Sequence, residues 1–118
     1  MNQLDIQKVL KTSIVLLQYS REKTISARTI QASFRICYID DQNICTEGVS
    51  KATEYVLRFN AKEGDELKQY KESINYNGVE KIIRNFLTEI NKDREEDKIK
   101  LAQNAAPYLA GLIDSFNG

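Results

Sequence analysis

The chain has 118 residues, of which 42% are hydrophobic, and its 17 Lys and Arg residues are balanced by 17 Asp and Glu residues. This length suits one compact domain and is too short for two independent ones. Because Pro and Gly are rare while Leu, Ile, Lys, Glu and Gln are frequent, we expect an all-α protein. No segment reaches the roughly 18 apolar residues of a membrane span, and the first residues lack a secretory signal pattern, so we expect a soluble intracellular protein.

The composition argues against catalysis and against a cofactor. The chain contains no His, which removes the usual general base and every Ser-His or Cys-His pair. It has no Gly-rich phosphate loop, and its acidic residues fall in charge-mixed runs, although paired carboxylates remain an alternative. We therefore expect a protein that is not an enzyme and that holds no metal or cofactor.

Two cysteines, Cys37 and Cys45, lie on apolar faces of neighbouring predicted helices. A zinc site needs about four Cys or His ligands, and the chain offers two. We expect both to be small buried hydrophobes in a reducing compartment, with a disulfide or a metal site as the alternatives.

Three helices are predicted in the first half. A wide apolar stripe predicts a largely buried helix from about residue 3 to 20, followed by the basic turn SREKT. Ser26 is the predicted N-cap of a short helix over 27–37. Asp40 or Asp41 then caps a third helix that ends near residue 61.

The second half begins with a connector, residues 63–77, where the apolar pattern lapses and part of the chain is helical. The spacing from Val79 to Ile90 predicts a helix with a clean apolar stripe. The run KDREEDK is interpreted as a solvated loop rather than a binding site. Asn104 is the predicted cap of a last helix with Pro107 in its first turn.

Residues 2–61 resemble the latter part of histone 2B, from its long helix onward. The match rests on specific residues at the second loop, the third helix and the trailing helix. These residues are Tyr19, Thr24, Ile25, Arg28, Ile30, Gln31, Arg35, Thr46, Glu47, Gly48 and Tyr55.

Residues 78–116 are similar to the beginning of histone 2A, with VEKIIRNFL as its first helix and AAPYLAGLIDSF as the opening of its long second helix. The proline is displaced by one place, and this match is the weaker of the two. Fusion in the order 2B then 2A resembles the histone doublets of large DNA viruses of amoebae. The resemblance implies a histone fold with a 2B-like unit at 1–62, a connector at 63–77 and a 2A-like unit at 78–118.

Compared with that family, the 2B-like unit lacks its first short helix and first loop, and the 2A-like unit stops partway along its long helix. Both missing pieces would occupy the same end of the dimer. We therefore expect a shortened doublet, with a fragment of a longer product as the alternative. We also expect Leu4, Ile6 and Val9 to be left exposed, so that either the connector or a neighbouring subunit covers them.

The resemblance implies that a pair of loops forms a DNA site at the end that is kept. Its candidate residues are Arg21, Lys23, Thr24, Lys81, Arg84 and Lys100, and the alternative is that all six are ordinary surface residues. The partner interface, including a four-helix contact with histone 4, is expected at Ile30, Phe34, Tyr55 and Phe59. Glu47 and Asp114 match two positions of the family's acidic patch.

The resulting hypothesis is a structural chromatin protein that assembles with a histone 4–histone 3 partner, with other copies of itself and with double-stranded DNA in nucleosome-like particles. These particles are expected in the virion and in the host nucleus or a cytoplasmic viral factory. Residues 1–62 carry nine basic and six acidic groups, and residues 63–118 carry eight and eleven. Bulk charge therefore gives weak DNA binding, and stable wrapping is expected to require the partners. The alternative function is a histone-fold adaptor of transcription or replication that binds mainly proteins.

Overall fold

The computed structural model describes residues 3–117, which form six helices and one pair of short strands. The helices are α1 (Ile6–Ser20), α2 (Ala27–Cys37), α3 (Gln42–Ala61), α4 (Gly64–Ser73), α5 (Tyr76–Asn91) and α6 (Ala105–Asn117). Strands β1 (Thr24–Ile25) and β2 (Lys100–Leu101) pair in parallel. The all-α prediction is confirmed as a fold class. Within residues 3–117, no helix is both long enough and apolar enough to cross a membrane.

Short polar side chains begin the first three helices. Asp5 accepts a hydrogen bond from the Lys8 N–H at 3.1 Å, so α1 starts slightly later than its apolar pattern predicted. Ser26 and Thr29 form a reciprocal capping box at the start of α2. Asp41, rather than Asp40, caps α3 by accepting from the Ile44 N–H at 3.0 Å. The predicted positions of these helices are thus confirmed to within a turn.

The connector contains the helix α4, which packs on α3 and α5. Its inward residues Leu67 and Tyr70 are half-buried, and the Tyr70 hydroxyl donates to the Tyr55 carbonyl at 3.3 Å. The ammonium group of Lys62 lies 5.7 Å from the centre of the Tyr70 ring. The connector is therefore an ordered part of the core.

Helix α6 lies at the centre of the molecule. Residues 105–112 are all buried, and α6 packs against α2, α3 and α5. A helix that is apolar around its whole circumference is stable only when other elements cover every side of it. Its closest approach is to α3, where Gly111 faces the Ala52 backbone.

The predicted exposure at the start of α1 is wrong. Leu4 and Val9 are buried and Ile6 is partly buried. Helix α2 packs along α1, and the Tyr38 hydroxyl beyond its last turn accepts from the Asp5 N–H at 3.0 Å. Phe116 of α6 packs edge-on against Tyr38, with 5.4 Å between ring centres. The chain therefore covers this end itself, through α2, Tyr38 and Phe116.

Replacing Gly111 by Ala should destabilise the fold, because the new Cβ atom would lie 2.5 Å from the Ala52 Cα atom and 3.0 Å from its backbone nitrogen. Helices α3 and α6 would have to separate, and overpacking of this kind costs about 1–3 kcal/mol. Urea unfolding monitored by circular dichroism measures the change.

Gly78→Ala is the matched control, since the three atoms nearest to its Cβ atom would all belong to the side chain of the exposed Asn75. That side chain can rotate away, and Ala gains up to about 1 kcal/mol over Gly in a helix. Equal stability of the two variants would contradict the close α3–α6 contact.

Candidate nucleic-acid interface

The turn after α1 and the segment before α6 meet in the parallel strand pair. Thr24 pairs with Lys100 and Ile25 with Leu101. The Lys100 N–H donates to the Lys23 carbonyl at 2.7 Å, and the Ala102 N–H donates to the Ile25 carbonyl at 2.9 Å. The expectation that these two loops lie side by side is therefore confirmed.

Two asparagine side chains fix the strand pair to the helices. Asn104 accepts a hydrogen bond from the Ala27 N–H at 2.9 Å, so the residue predicted to cap α6 ties the start of α2 to the start of α6. Asn91, at the end of α5, pairs with both backbone polar groups of Ile99, at 2.8 Å and 2.9 Å. The loops are thus held from both halves of the chain.

The strand pair presents cations to solvent. Ile25 and Ile99 are buried, and side chains alternate along an extended segment, so Thr24, Lys98 and Lys100 point outward. Lys98 and Lys100 are exposed, as is Lys23 beside them. We call Lys23, Thr24, Lys98 and Lys100 the strand-pair rim.

Lys98 was missed by the sequence interpretation, which treated KDREEDK as a solvated loop. The segment does lack regular structure, and Arg94 is paired internally with Asp97 at 3.2 Å. The signal for Lys98 was available in the alternation Lys98-Ile99-Lys100, where one buried residue separates two outward ones.

The other predicted DNA-contact residues, Arg21, Lys81 and Arg84, lie on different parts of the fold. Arg21 is exposed and follows α1 in the left-handed region, with φ 59°, two residues before Lys23. Lys81 and Arg84 are exposed on α5, and Arg84 pairs with Glu80 at 3.4 Å. Arg84 precedes the end of α5 by seven residues, which is about 10 Å along the helix. Arg21 is therefore adjacent in sequence to the strand-pair rim, whereas Lys81 and Arg84 lie further back along α5 from the end that Asn91 joins to Ile99.

The four predicted partner residues are engaged within the chain. Ile30 and Phe34 are completely buried, and Phe34 packs against Gly48 and Phe116. Phe59 is stacked on Tyr76 with 5.6 Å between ring centres. None of these three side chains is accessible to a partner in this conformation, because the apolar stripes that suggested an interface form the chain's own core.

Tyr55, the fourth partner residue, donates from its hydroxyl to the Asp114 carboxylate at 2.6 Å. Asp114 is therefore used to join α6 to α3. Glu47 is exposed and lines a groove with Ser115 and Phe116, but it precedes Tyr55 by eight residues, about 12 Å along α3. The two residues of the expected acidic patch thus have different surroundings, and only Glu47 is freely exposed.

The apolar surface that remains accessible includes one side of α1. Val15 is 47% exposed and Tyr19 is 86% exposed. Tyr19 borders a groove between α1 and α2 that is also lined by Leu16, Arg28 and Ala32. We call these residues, with Val15, the α1–α2 face.

Cys37 and Cys45 are free thiols and are half-buried rather than fully buried. The Cys45 thiol donates to the Tyr38 carbonyl at 3.0 Å. Among residues 3–117, no three Cys, Asp or Glu side chains converge as metal ligands would.

Comparison of the chain with protein-family models, with curated proteins and with solved structures finds no match. The residues and the geometry of the two surfaces are therefore the basis for a functional proposal.

The tyrosines that join the two halves should make stability fall at alkaline pH. Burial and then the nearby Glu80 carboxylate raise the pKa of Tyr76 to about 12, and burial raises the pKa of Tyr108 above its usual range. The unfolded chain releases these protons near pH 10, so above that pH it binds fewer protons than the folded chain. Stability is fully present below about pH 10 and decreases as the pH rises towards the folded pKa values.

Urea titrations from about pH 9 to about pH 11 measure this decrease. Tyr108→Phe should be less stable at about pH 9, because it loses the bond to Gln31 at 3.1 Å, and this difference should shrink as the pH rises because Phe has no proton to release. A free energy of unfolding that stays constant over this range would contradict the assignment.

Proposed function

We propose that this chain is a structural chromatin protein, a fused histone 2B-like and histone 2A-like pair that binds double-stranded DNA without sequence preference and assembles with a histone 4–histone 3 partner. The observation that carries the proposal is the parallel strand pair between Thr24–Ile25 and Lys100–Leu101. These segments match the second loop of the 2B-like unit and the first loop of the 2A-like unit. In the resembled family, such paired loops contact the DNA backbone.

Local charge supports DNA contact although the chain is neutral overall. Arg21, Lys23, Lys98 and Lys100 lie on or next to the strand-pair rim. Glu22 is the acidic residue within the first loop, and Glu95 and Glu96 are exposed in the second, where Asp97 is paired with Arg94. The N-terminus of α2 follows β1 directly and adds partial positive charge. Phosphate contact by lysines and a helix N-terminus gives affinity without base recognition. The role would be compaction of viral DNA in the virion and in the host nucleus or a viral factory.

The α1–α2 face is the surface we propose for the histone partner. We no longer propose Ile30, Phe34, Tyr55 and Phe59 as partner contacts. Ile30, Phe34 and Phe59 are buried in the chain's own core, and Tyr55 is bonded to Asp114. Tyr19 and Val15 are exposed apolar side chains beside a groove between two antiparallel helices. A partner helix pair seated there would complete a four-helix arrangement and bury both residues.

The second candidate function is an adaptor that binds mainly protein partners. The observation that favours it is the zero net charge, with an excess of acidic groups in residues 63–118. Such a protein would use the α1–α2 face in the same way and would leave the strand-pair rim in solvent.

Reconstitution with a histone 4–histone 3 doublet and DNA, followed by nuclease digestion, separates these functions. A discrete protected DNA length in the presence of both proteins supports the chromatin role. Co-assembly without protection supports the adaptor. Protection of long DNA by this chain alone at physiological salt would contradict our expectation that wrapping requires the partner.

Replacing Lys23, Lys98 and Lys100 together by Gln should weaken DNA binding and lower its salt dependence. Each lost phosphate contact reduces the slope of log K against log salt by about 0.9, so the triple variant should lose about 2–3 units of slope. Fluorescence anisotropy with a short duplex over a range of salt concentrations measures both quantities.

The matched control replaces Lys8, Lys11 and Lys68 by Gln, which removes the same charge from exposed positions on α1 and α4. Its slope should stay close to that of the original chain. Equal losses in the two variants would indicate that only net charge matters and that the strand-pair rim is not a site.

Tyr19→Asp should reduce co-purification with the histone 4–histone 3 partner while leaving the fold intact, because this side chain is 86% exposed. A buried carboxylate without a partner is costly at an interface. Leu57→Asp, at a 64% exposed position on α3, is the control and should bind normally. Normal binding by Tyr19→Asp, measured by size-exclusion chromatography, would rule out the α1–α2 face.

A further inference from the structure

The segment Arg35-Ile36-Cys37-Tyr38-Ile39-Asp40 has a symmetric pattern at the junction of α2 and α3. A cation and an isoleucine stand at one end, and an isoleucine and an anion stand at the other. Cys37 and Tyr38, between them, are half-buried and face inward. When the segment is read from its last residue to its first, the exposed positions again carry a charge, two isoleucines and a charge. The cation and the anion have then changed places.

All four outward residues are available to a partner. Ile36 is 49% exposed and Ile39 is 68% exposed, and both Arg35 and Asp40 are exposed. Ile36 and Ile39 border a groove between α2 and α3 whose other wall carries Gln42, Cys45 and Val49. This α2–α3 groove borders the C-terminal end of α2 at Arg35 and Ile36, whereas the α1–α2 face borders Arg28 and Ala32 nearer its start.

Neither charge is neutralised inside the molecule. Across residues 3–117 the ion pairs join Arg58 to Glu54, Arg84 to Glu80 and Arg94 to Asp97. Arg35 and Asp40 belong to none of them. Two unpaired opposite charges therefore flank two exposed isoleucines.

We propose that the α2–α3 groove binds a second copy of this chain through a two-fold contact. In an isologous interface, residue i of one copy contacts residue j of the other and the reverse contact occurs as well. An antiparallel arrangement places Arg35 opposite Asp40 of the second copy and Ile36 opposite its Ile39, each twice. The charge pattern thus makes this surface complementary to itself.

The contact is small. Stable interfaces bury about 1,200–2,000 Å², and two isoleucines with their flanking charges supply less, so the dimer is weak and reversible. Its residues belong neither to the strand-pair rim nor to the α1–α2 face. Its function would be to bring two DNA-bound units together, but its formation requires neither DNA nor a histone partner.

Sedimentation velocity of the full chain at concentrations up to about 1 mM tests the proposal. We expect a concentration-dependent dimer. Arg35→Asp and Asp40→Arg should each weaken it about tenfold, because every reversal creates two like-charge contacts. Thermal melts of each variant establish that the fold persists, as expected for exposed positions.

An equimolar mixture of the Arg35→Asp and Asp40→Arg variants is the decisive sample. In a two-fold contact between these two chains, every position 35 faces a position 40 of opposite charge. The mixture, and also the double variant alone, should regain the original dimer. Recovery of the dimer by the double variant, whose net charge equals that of the original chain, would show that the charges at positions 35 and 40 meet across the contact and that net charge does not explain the losses.

Ile39→Ser should weaken the dimer about tenfold or more, since it removes an apolar side chain from each side of the contact. Leu57→Ser, at an exposed position elsewhere on α3, should leave the dimer unchanged. A chain that stays monomeric at the highest concentration would overturn the proposal. So would a dimer that is insensitive to these substitutions, or whose loss is not reversed by mixing. None of these results bears on DNA protection or on the Tyr19 test.

Discussion

The close packing of α6 against α3 is the constraint on which the rest of the structure depends. Residues 105–112 of α6 are buried on every side, and Gly111 allows the backbone of α6 to approach that of Ala52. Gly48 similarly leaves room for the Phe34 ring of α2. Because interiors are close-packed, the small residues fix the distances between α2, α3 and α6 within narrow limits. The strand pair follows from this arrangement, since β1 immediately precedes α2 and β2 lies just before α6.

Hydrogen bonds between the first and second halves of the chain then fix the orientation of the helices that packing brings into contact. The Tyr55 hydroxyl donates to Asp114, the Tyr108 hydroxyl donates to Gln31, and Asn104 accepts from the Ala27 N–H. Each bond joins a residue of the first sixty-one positions to α6 or to the residue before it. The connector helix α4 packs against α3 and α5 and so belongs to the same core. The two units therefore form one structural body, in which the position of each loop depends on the other unit.

The sequence predicted most of the helices because their signals are local. Apolar periodicity located α1, α3 and α5, and the caps Ser26 and Asp41 located the starts of α2 and α3. The sequence did not predict which apolar surfaces pack against each other. An apolar stripe such as Ile30 and Phe34 has the same spacing whether it packs against its own chain or against a partner, and here it packs internally. The role of Asn104 at α2, and the outward position of Lys98, likewise depend on a strand pair between residues far apart in sequence.

Helix α2 shows how a neutral chain can present more than one binding surface. Its inner face, with Ile30, Ser33 and Phe34, is completely buried and fixes the helix in place. Its outer face carries two arginines, and they border different grooves: Arg28 lies beside α1 and Arg35 beside α3. Positions 28 and 35 are seven residues apart, about 10 Å along the axis of α2, so the two grooves follow one another along the same exposed side of the helix. The net charge of the chain does not reveal these surfaces, but the positions of the individual charges along α2 do.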